Sequence, residues 1–313
     1  MAVRRNGMGI SCIWYIANDV LPWEVAVLRP IAKEMIRQNH SLSIYGWSPE
    51  DWKELPFVHW GGMSGIERGI RKALHGKLWH VWGKMPQWMS LLMFRARVLH
   101  TSWRPQGGES KGVRVFFEGD FPDPKGYRIF PTFDKDWLWG LSNLPPGISP
   151  NPQPLSVAIS SDRPFYPAAL DSLEPWISSV RWISPGAVPR WGGEELPLTK
   201  EIFAYWKEYG GVLLFPGPLS LSDVWLGGFA SMLAIPVVAP PSPLCEDFFG
   251  PDGYIPVKGS LASRESWTRG IDRGTSKEGR NAAARCRIRL ERLYPLEDAL
   301  KSLLPIYSRM EHS

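Results

Sequence analysis

One stretch constrains this chain more than any other: an apolar run at residues 10–16, interrupted only by Ser11, that passes through Ala17-Asn18-Asp19 into a helical pattern and then into a second strand-like segment at 41–47. A run without alternation suits a strand buried on both faces. Between the two, Val27, Leu28, Ile31, Met35 and Ile36 recur at helical spacing, with Arg29, Lys33, Glu34 and Arg37 on the other face. Strand, helix, strand in so short a stretch is the pattern of a parallel sheet, because parallel strands need a crossover that helices supply. Pro30 is expected to kink the helix or to mark its true first turn. Asn39 can take the left-handed conformation that ends it.

Similar units follow. Strands are expected near 55–59, 78–82, 97–101 and 113–117, with helices near 64–75 and 86–95. Residues 118–155 are rich in Pro, Gly, Asn and Asp, and 143–154 read as a linker. The alternation then resumes, with strands at 155–159, 180–184, 211–215, 235–239 and 254–257, and helices at 198–208, 223–233, 276–292 and 296–310. No repeat of solenoid period occurs. The expected domains are residues 1–148 and 149–295, with a C-terminal helix in 296–313 returning to the first.

Composition excludes other classes. The chain is 44% hydrophobic and 21% charged, with 36 Lys+Arg against 31 Asp+Glu, so it is globular and only mildly basic. Its longest apolar stretches fall far short of the roughly 18–20 residues that span a bilayer. No small-residue cleavage site follows 10–16, so a secretory signal is not expected. The three cysteines, Cys12, Cys245 and Cys286, show neither a disulfide framework nor zinc spacing, which fits a cytoplasmic setting. Phosphate-loop, dinucleotide, nucleophile-elbow and H-E-x-x-H patterns are missing. His75 and His80 are spaced poorly for a metal, and no metal or cofactor is expected.

The informative segment is 213–257. It reads as strand, small-residue loop, helix, short strand, Pro-rich loop, short helix and strand. Ser222 or Asp223 is a natural cap for its first helix, and the exposed amides of that helix end suit an anion such as a diphosphate. The same residues serve equally as a plain structural cap.

Phe215-Pro216, Ala230-Ser231-Met232-Leu233, Ala234-Ile235-Pro236-Val237-Val238-Ala239, Glu246 and Gly253-Tyr254-Ile255-Pro256-Val257 resemble, in order, the donor-binding region of GT-B glycosyltransferases, the group that includes sucrose synthase-like and mannosyltransferase-like enzymes. Asn39-His40-Ser41-Leu42-Ser43-Ile44-Tyr45, Leu78-Trp79-His80-Val81-Trp82-Gly83, Val98-Leu99-His100-Thr101-Ser102 and Leu144-Pro145-Pro146-Gly147-Ile148 are similar to pieces of the same group further upstream. The resemblance implies an α/β fold of two Rossmann-like domains facing a cleft. It implies transfer of a sugar from a nucleotide diphosphate sugar to a glycan or lipid-linked acceptor, as in polysaccharide biosynthesis. His100 would sit beside the reacting sugar as the catalytic residue; the alternative is a strand-end histidine bonded to a backbone carbonyl. His80, inside its strand, reads as structural. Arg163, Gly217, Ser222, Asp223 and Glu246 are the candidates for donor and diphosphate binding.

The sequence also departs from the group. Its two donor-binding glutamates align with Leu221 and Phe229, which cannot accept a hydrogen bond, and the usual basic pair reduces to Arg163. A catalytically inactive binding or scaffold subunit of a glycan-assembly complex is therefore the alternative function. Basic residues of 264–292, and those near 71–97 interleaved with Trp79, Trp82, Trp88 and Met89, suit peripheral contact with the inner face of an anionic membrane, or simply solvated helix faces. Acidic residues dilute these clusters and no nucleic-acid motif appears, so nucleic acid is not an expected partner.

Overall fold

The computed structural model describes residues 9–17, 19–46, 59–61, 78–84, 97–101, 113–117, 127–140, 154–159, 164–183, 193–196, 198 and 201–312. Contacts group the chain into two units. The first comprises Met1–Leu21, Val25–Thr132 and Leu296–Ser313; the second comprises Pro22–Glu24 and Phe133–Pro295. The division falls at Thr132/Phe133, upstream of the 148/149 boundary read from the sequence. Phe133 is drawn to the second unit by its ring, which meets Phe229 edge-on at 4.9 Å. The expected helices at 64–75 and 86–95 and residues 143–153 of the linker lie outside the described residues.

In the first unit, β1 (Ser11–Ile16), β2 (Ser41–Gly46), β3 (His59–Gly61), β4 (Leu78–Trp82), β5 (Arg97–Thr101), β6 (Val113–Phe117) and β7 (Tyr127–Ile129) form a sheet ordered β3-β2-β1-β4-β5-β6-β7. Every pairing is parallel, with Ser11 opposite Ser41 and Cys12 opposite Leu78 on the two sides of β1. β1 and β4 are buried almost end to end, as strands covered on both faces are. α1 (Pro22–Arg37) starts at Pro22, where a proline ring preorganises the first turn, and continues through Pro30 instead of beginning there. Asn39 takes φ 63° and closes the helix, as its residue type allows.

The second unit repeats this arrangement. β8 (Leu155–Ala158), β9 (Val180–Ile183), β10 (Glu194–Glu195), β11 (Val212–Leu214), β12 (Val237–Ala239) and β13 (Ile255–Pro256) are parallel and ordered β10-β9-β8-β11-β12-β13. Numbered within each unit, the first six strands of both sheets run 3-2-1-4-5-6, the order of doubly wound nucleotide-binding sheets. In chain order, the helices that follow α1 are α2 (Lys135–Gly140), α3 (Pro167–Asp171), α4 (Glu201–Tyr209), α5 (Leu221–Met232), α6 (Pro243–Phe249), α7 (Arg264–Thr275), α8 (Lys277–Leu293) and α9 (Leu296–His312). All but α9 belong to the second unit; α9 groups with the first. Leu155, Val157, Trp182, Leu214, Trp267 and Ile271 join one apolar core. Trp206 of α4 donates its indole N–H to the buried Ser156 hydroxyl in β8 at 2.8 Å, so the one polar side chain of that strand is satisfied.

α9 docks on the first sheet through a polar thread within its apolar contact. The Trp14 indole donates to the Tyr307 hydroxyl at 2.8 Å, and that hydroxyl lies 2.7 Å from His80 Nδ1. Having accepted from Trp14, the fully buried hydroxyl has His80 as the acceptor for its single hydrogen. Nε2–H of His80 then donates to Thr101 Oγ1 at 2.8 Å. The imidazole also stacks on Trp82 with 3.6 Å between ring centres. Burial, with a smaller contribution from His100, holds the His80 pKa well below the ordinary histidine value. His80 is thus a structural residue.

Trp79 and Trp82 are core residues of the central strand β4, at 3% and 0% exposure, so neither borders a membrane-facing surface. Trp88 and Met89 lie outside the described residues. Among the described residues, no helix is long and apolar enough to cross a membrane.

Candidate functional site

In a doubly wound sheet, ligands bind beyond the carboxyl ends of the two strands at which the strand order reverses. In the second unit those strands are β8 and β11, and a pocket lies there. Ala158 and Ile159 end β8, Pro164 and Phe165 follow the loop after it, and Phe215, Pro216, Gly217 and Pro218 follow β11. Asp223 closes the lining from the first turn of α5. The pocket is partly open to solvent, and its cavity volume is about 10 Å³. Tyr166 N–H donates to the Pro216 carbonyl at 2.8 Å and ties the two walls together. A Cβ at Gly217 would lie 2.5 Å from the Pro164 backbone oxygen, so only glycine permits this approach.

The α5 terminus is built differently from the expectation. Its N-cap is Ser220, not Ser222 or Asp223. Ser220 Oγ accepts from Asp223 N–H at 3.2 Å, and the Asp223 carboxylate accepts in return from Ser220 N–H at 2.7 Å. The Ser220 hydroxyl donates to the same Oδ2 at 2.7 Å. This is a capping box with aspartate in the third position. Asp223 therefore neutralises the positive end of the helix dipole itself. Ser222 is 4% exposed and lies outside the pocket lining; its Oγ accepts from the Trp23 indole N–H at 2.8 Å. Both groups belong to the second unit, since the first turn of α1 is grouped there.

Of the other candidates, Gly217 lines the pocket and Arg163 lies outside the described residues. Glu246 stands exposed in the first turn of α6, away from the described lining. Its charge still reaches the neighbourhood. Burial first, with Asp223 and Glu246 adding to it, pushes the Cys245 thiol up to about 11. Burial likewise leads in raising Tyr254 to about 12, with Cys245 and Glu246 contributing.

His100 sits in the first unit, one residue from the end of β5, at 5% exposure. Its Nε2 is 2.7 Å from the Gly83 carbonyl. A carbonyl only accepts, so the proton is on Nε2 and any role as a base falls to Nδ1. Nearby, Asp19 Oδ1 accepts from Lys84 N–H at 2.8 Å. Leu221 and Phe229, at the positions where the resembled group carries glutamates, are 6% and 0% exposed and belong to the core. Phe229 is held between the rings of Phe133 and Phe203. Among the described residues, no group of three His, Cys, Asp or Glu is placed to hold a metal ion.

No family model and no curated protein matches the sequence. Solved structures do match the fold. A glycosyltransferase from Rickettsia africae aligns with TM-score 0.65 at 10% identity, over 97% of this chain and 99% of that one. HepE from Anabaena, solved in complex with UDP-glucose, aligns with TM-score 0.62 at 11% identity, over 95% and 99% of the two chains. Sucrose-phosphate synthase from Thermosynechococcus elongatus gives 0.58 at 11% identity, over 96% and 99%. The fold of this chain is α/β, with two parallel Rossmann-like sheets, and is similar to that of GT-B glycosyltransferases over nearly its whole length.

Proposed function

We propose that the protein is a glycosyltransferase that takes a hexose from a nucleoside diphosphate sugar bound on its second unit. It passes the sugar to a glycan or lipid-linked acceptor bound by the first. The observation that carries this reading is the open pocket at the β8/β11 strand reversal, in a chain that shares its fold from end to end with such enzymes. HepE, similar in fold, was solved with UDP-glucose, which supports a sugar nucleotide as the ligand. Gly217 and Asp223 are the donor-side residues of the pocket, and Arg163 is the proposed counter-charge for the diphosphate. Catalysis rests on orientation and on stabilising the departing diphosphate, with His100 as the base on the acceptor side. The group resembled is the sucrose synthase-like and mannosyltransferase-like one, in a divergent form.

Peripheral membrane attachment from the cytoplasm is part of the proposal. Exposed Lys277, Arg280 and Arg292 on α8, beside Ile288 at 66% exposure, support it. Other cations of that region are engaged within the protein: Arg264 with Glu174, Arg273 with Glu278, and Arg289 with the Phe248 and Asp247 carbonyls.

The burial of Leu221 and Phe229 favours a second reading, a binding subunit that no longer turns over. Thermal melting with UDP, GDP, ADP and their glucose or mannose esters tests the main proposal. A ligand at a hundredfold its Kd stabilises the native state by about 2.7 kcal/mol. A flat response to all of them ends both nucleotide readings. Binding without release of nucleoside diphosphate, and without any effect of His100→Ala, selects the second.

A further inference from the structure

We infer that Tyr307, on the C-terminal helix α9, is a positioning residue for His100: through His80 and Thr101 it fixes the end of β5 that carries this histidine. The inference rests on the reading above, in which His100 is the base on the acceptor side. All of these residues belong to the first unit.

The bonds run in one direction. The Trp14 indole N–H donates to the Tyr307 hydroxyl at 2.8 Å, and that hydroxyl donates to His80 Nδ1 at 2.7 Å. His80 Nε2–H then donates to Thr101 Oγ1 at 2.8 Å. With Nδ1 taken up by a donor, only one tautomer of His80 makes the last bond. Burial lifts Tyr307 well above the ordinary tyrosine value, with Cys12 adding to it. Burial likewise lowers His80, with His100 adding, so neither group carries charge. Thr101, at 0% exposure, is held twice, since its carbonyl also accepts from Gly83 N–H at 2.8 Å. The Gly83 carbonyl in turn takes Nε2–H of His100 at 2.7 Å. The end of β4 and the end of β5 are thus closed into one loop of bonds. Gly83 is packed against the segment after β1: a Cβ there would lie 2.5 Å from Val20 and 2.7 Å from Asp19 Oδ1. Its carbonyl is a fixed mark for the His100 ring. Stability does not require this arrangement, because Phe at 307 and Val at 101 fill nearly the same space without burying a hydroxyl. A fully satisfied buried network adds a single geometry, and this one ends beside His100.

The test uses the full chain with UDP-glucose, GDP-mannose and ADP-glucose. For the donor that binds, affinity and the rate of nucleoside diphosphate release are both measured. Tyr307→Phe and Thr101→Val each remove one hydroxyl and little volume. Each should lower kcat about tenfold or more, as misplacing a reacting group does, and leave donor Kd within about twofold. Thr101→Ser, which keeps the hydroxyl, should recover most of the rate. NMR of the histidine ring nitrogens gives a readout apart from turnover, with signals assigned through His100→Ala and His80→Gln. The His100 signals should move in Tyr307→Phe and Thr101→Val and stay in place in Thr101→Ser. Native turnover in both hydroxyl-deleted variants, or unmoved His100 signals in them, overturns the inference while donor binding still stands. So does a loss of donor affinity as large as the loss of rate, which marks general loosening. Binding without release of nucleoside diphosphate, or no binding at all, overturns the parent reading and this inference with it.

Discussion

Replacing Gly217 with alanine adds one methyl group at the point where the pocket walls come closest. The new Cβ would lie 2.5 Å from the Pro164 carbonyl oxygen and 3.3 Å from Phe165 Cα. Ordinary contact begins near 3.4 Å, so the two backbones must part by about 0.9 Å. Neither neighbour is a side chain that can rotate away. The same movement stretches the 2.8 Å bond from Tyr166 N–H to the Pro216 carbonyl past useful length. An unmade backbone hydrogen bond costs about 1–3 kcal/mol, and forced overpacking a similar amount. Taking ~3 kcal/mol for the pair, and about 2–4 °C per kcal/mol for a unit of this size, Gly217→Ala should lower the melting temperature by about 6–12 °C. Gly140, the last residue of α2, supplies the control, because a Cβ there meets nothing within 4 Å among the described residues. Gly140→Ala should leave the melt unchanged or raise it by up to a few degrees, since alanine is the better helix former by about 1 kcal/mol. Calorimetric melting of the two variants side by side decides. If Gly217→Ala melts within about 2 °C of the native chain, the close approach does not exist and the pocket has been drawn wrongly.

Two further outcomes follow from buried polar pairs. Trp23→Phe strands the Ser222 hydroxyl and Ser222→Ala strands the Trp23 indole, so each should cost about 1–3 kcal/mol in urea unfolding, and the double variant should cost less than their sum by at least ~0.5 kcal/mol; strict additivity would deny the bond. His80 has its pKa depressed in the folded chain, so below the unfolded value near 6.5 the unfolded chain takes up a proton that native His80 refuses. Stability should therefore fall as pH drops through and below about 6.5, by up to about 1.4 kcal/mol per pH unit, until native His80 itself titrates. His80→Gln should flatten this limb in urea titrations between pH 7 and pH 5, and an equally steep limb in the variant would show that His80 is not its source.

β1, β4 and β5 were legible because they are buried along nearly their whole length. β4, β5 and β6 fall on the expected residues, and β1 begins one residue late. α7 was missed because its buried stripe is short of apolar volume: Trp267, Gly270, Ile271 and Gly274, in a helix otherwise full of charge. Gly274 matters there through closeness, since a Cβ would lie 2.7 Å from Val238, and hydrophobic periodicity does not register a glycine that packs by absence. The cap at Ser220 was present in the sequence as Ser-x-x-Asp, and weighing the third-position carboxylate would have chosen it over Ser222. The fate of Ser222 was not legible at all, because its partner Trp23 is 199 residues away along the chain. Trp79 and Trp82 were read as a surface border since a tryptophan flanked by cations looks interfacial. Placement in β4, paired on both sides, makes them core.

The two sheets share a strand order, and their reversal points differ in a way that bears on function. In the first unit the polar groups there engage one another: Asp19 takes the Lys84 N–H, and His100 donates to the Gly83 carbonyl. In the second, the described wall is carbon and backbone with one carboxylate, and Phe165 keeps over a third of its surface in water. Leaving apolar area wet forgoes about 25 cal/mol for every Å² that a filled pocket would bury. A larger residue at position 217 is excluded by the Pro164 backbone, so the opening is maintained by the same glycine that draws the walls together. A chain selected only as a rigid scaffold gains from closing such a space. Leu221 and Phe229 are buried in that unit, so under the proposed nucleotide-sugar reading Asp223, the one carboxylate of the described lining, is the side chain to test first.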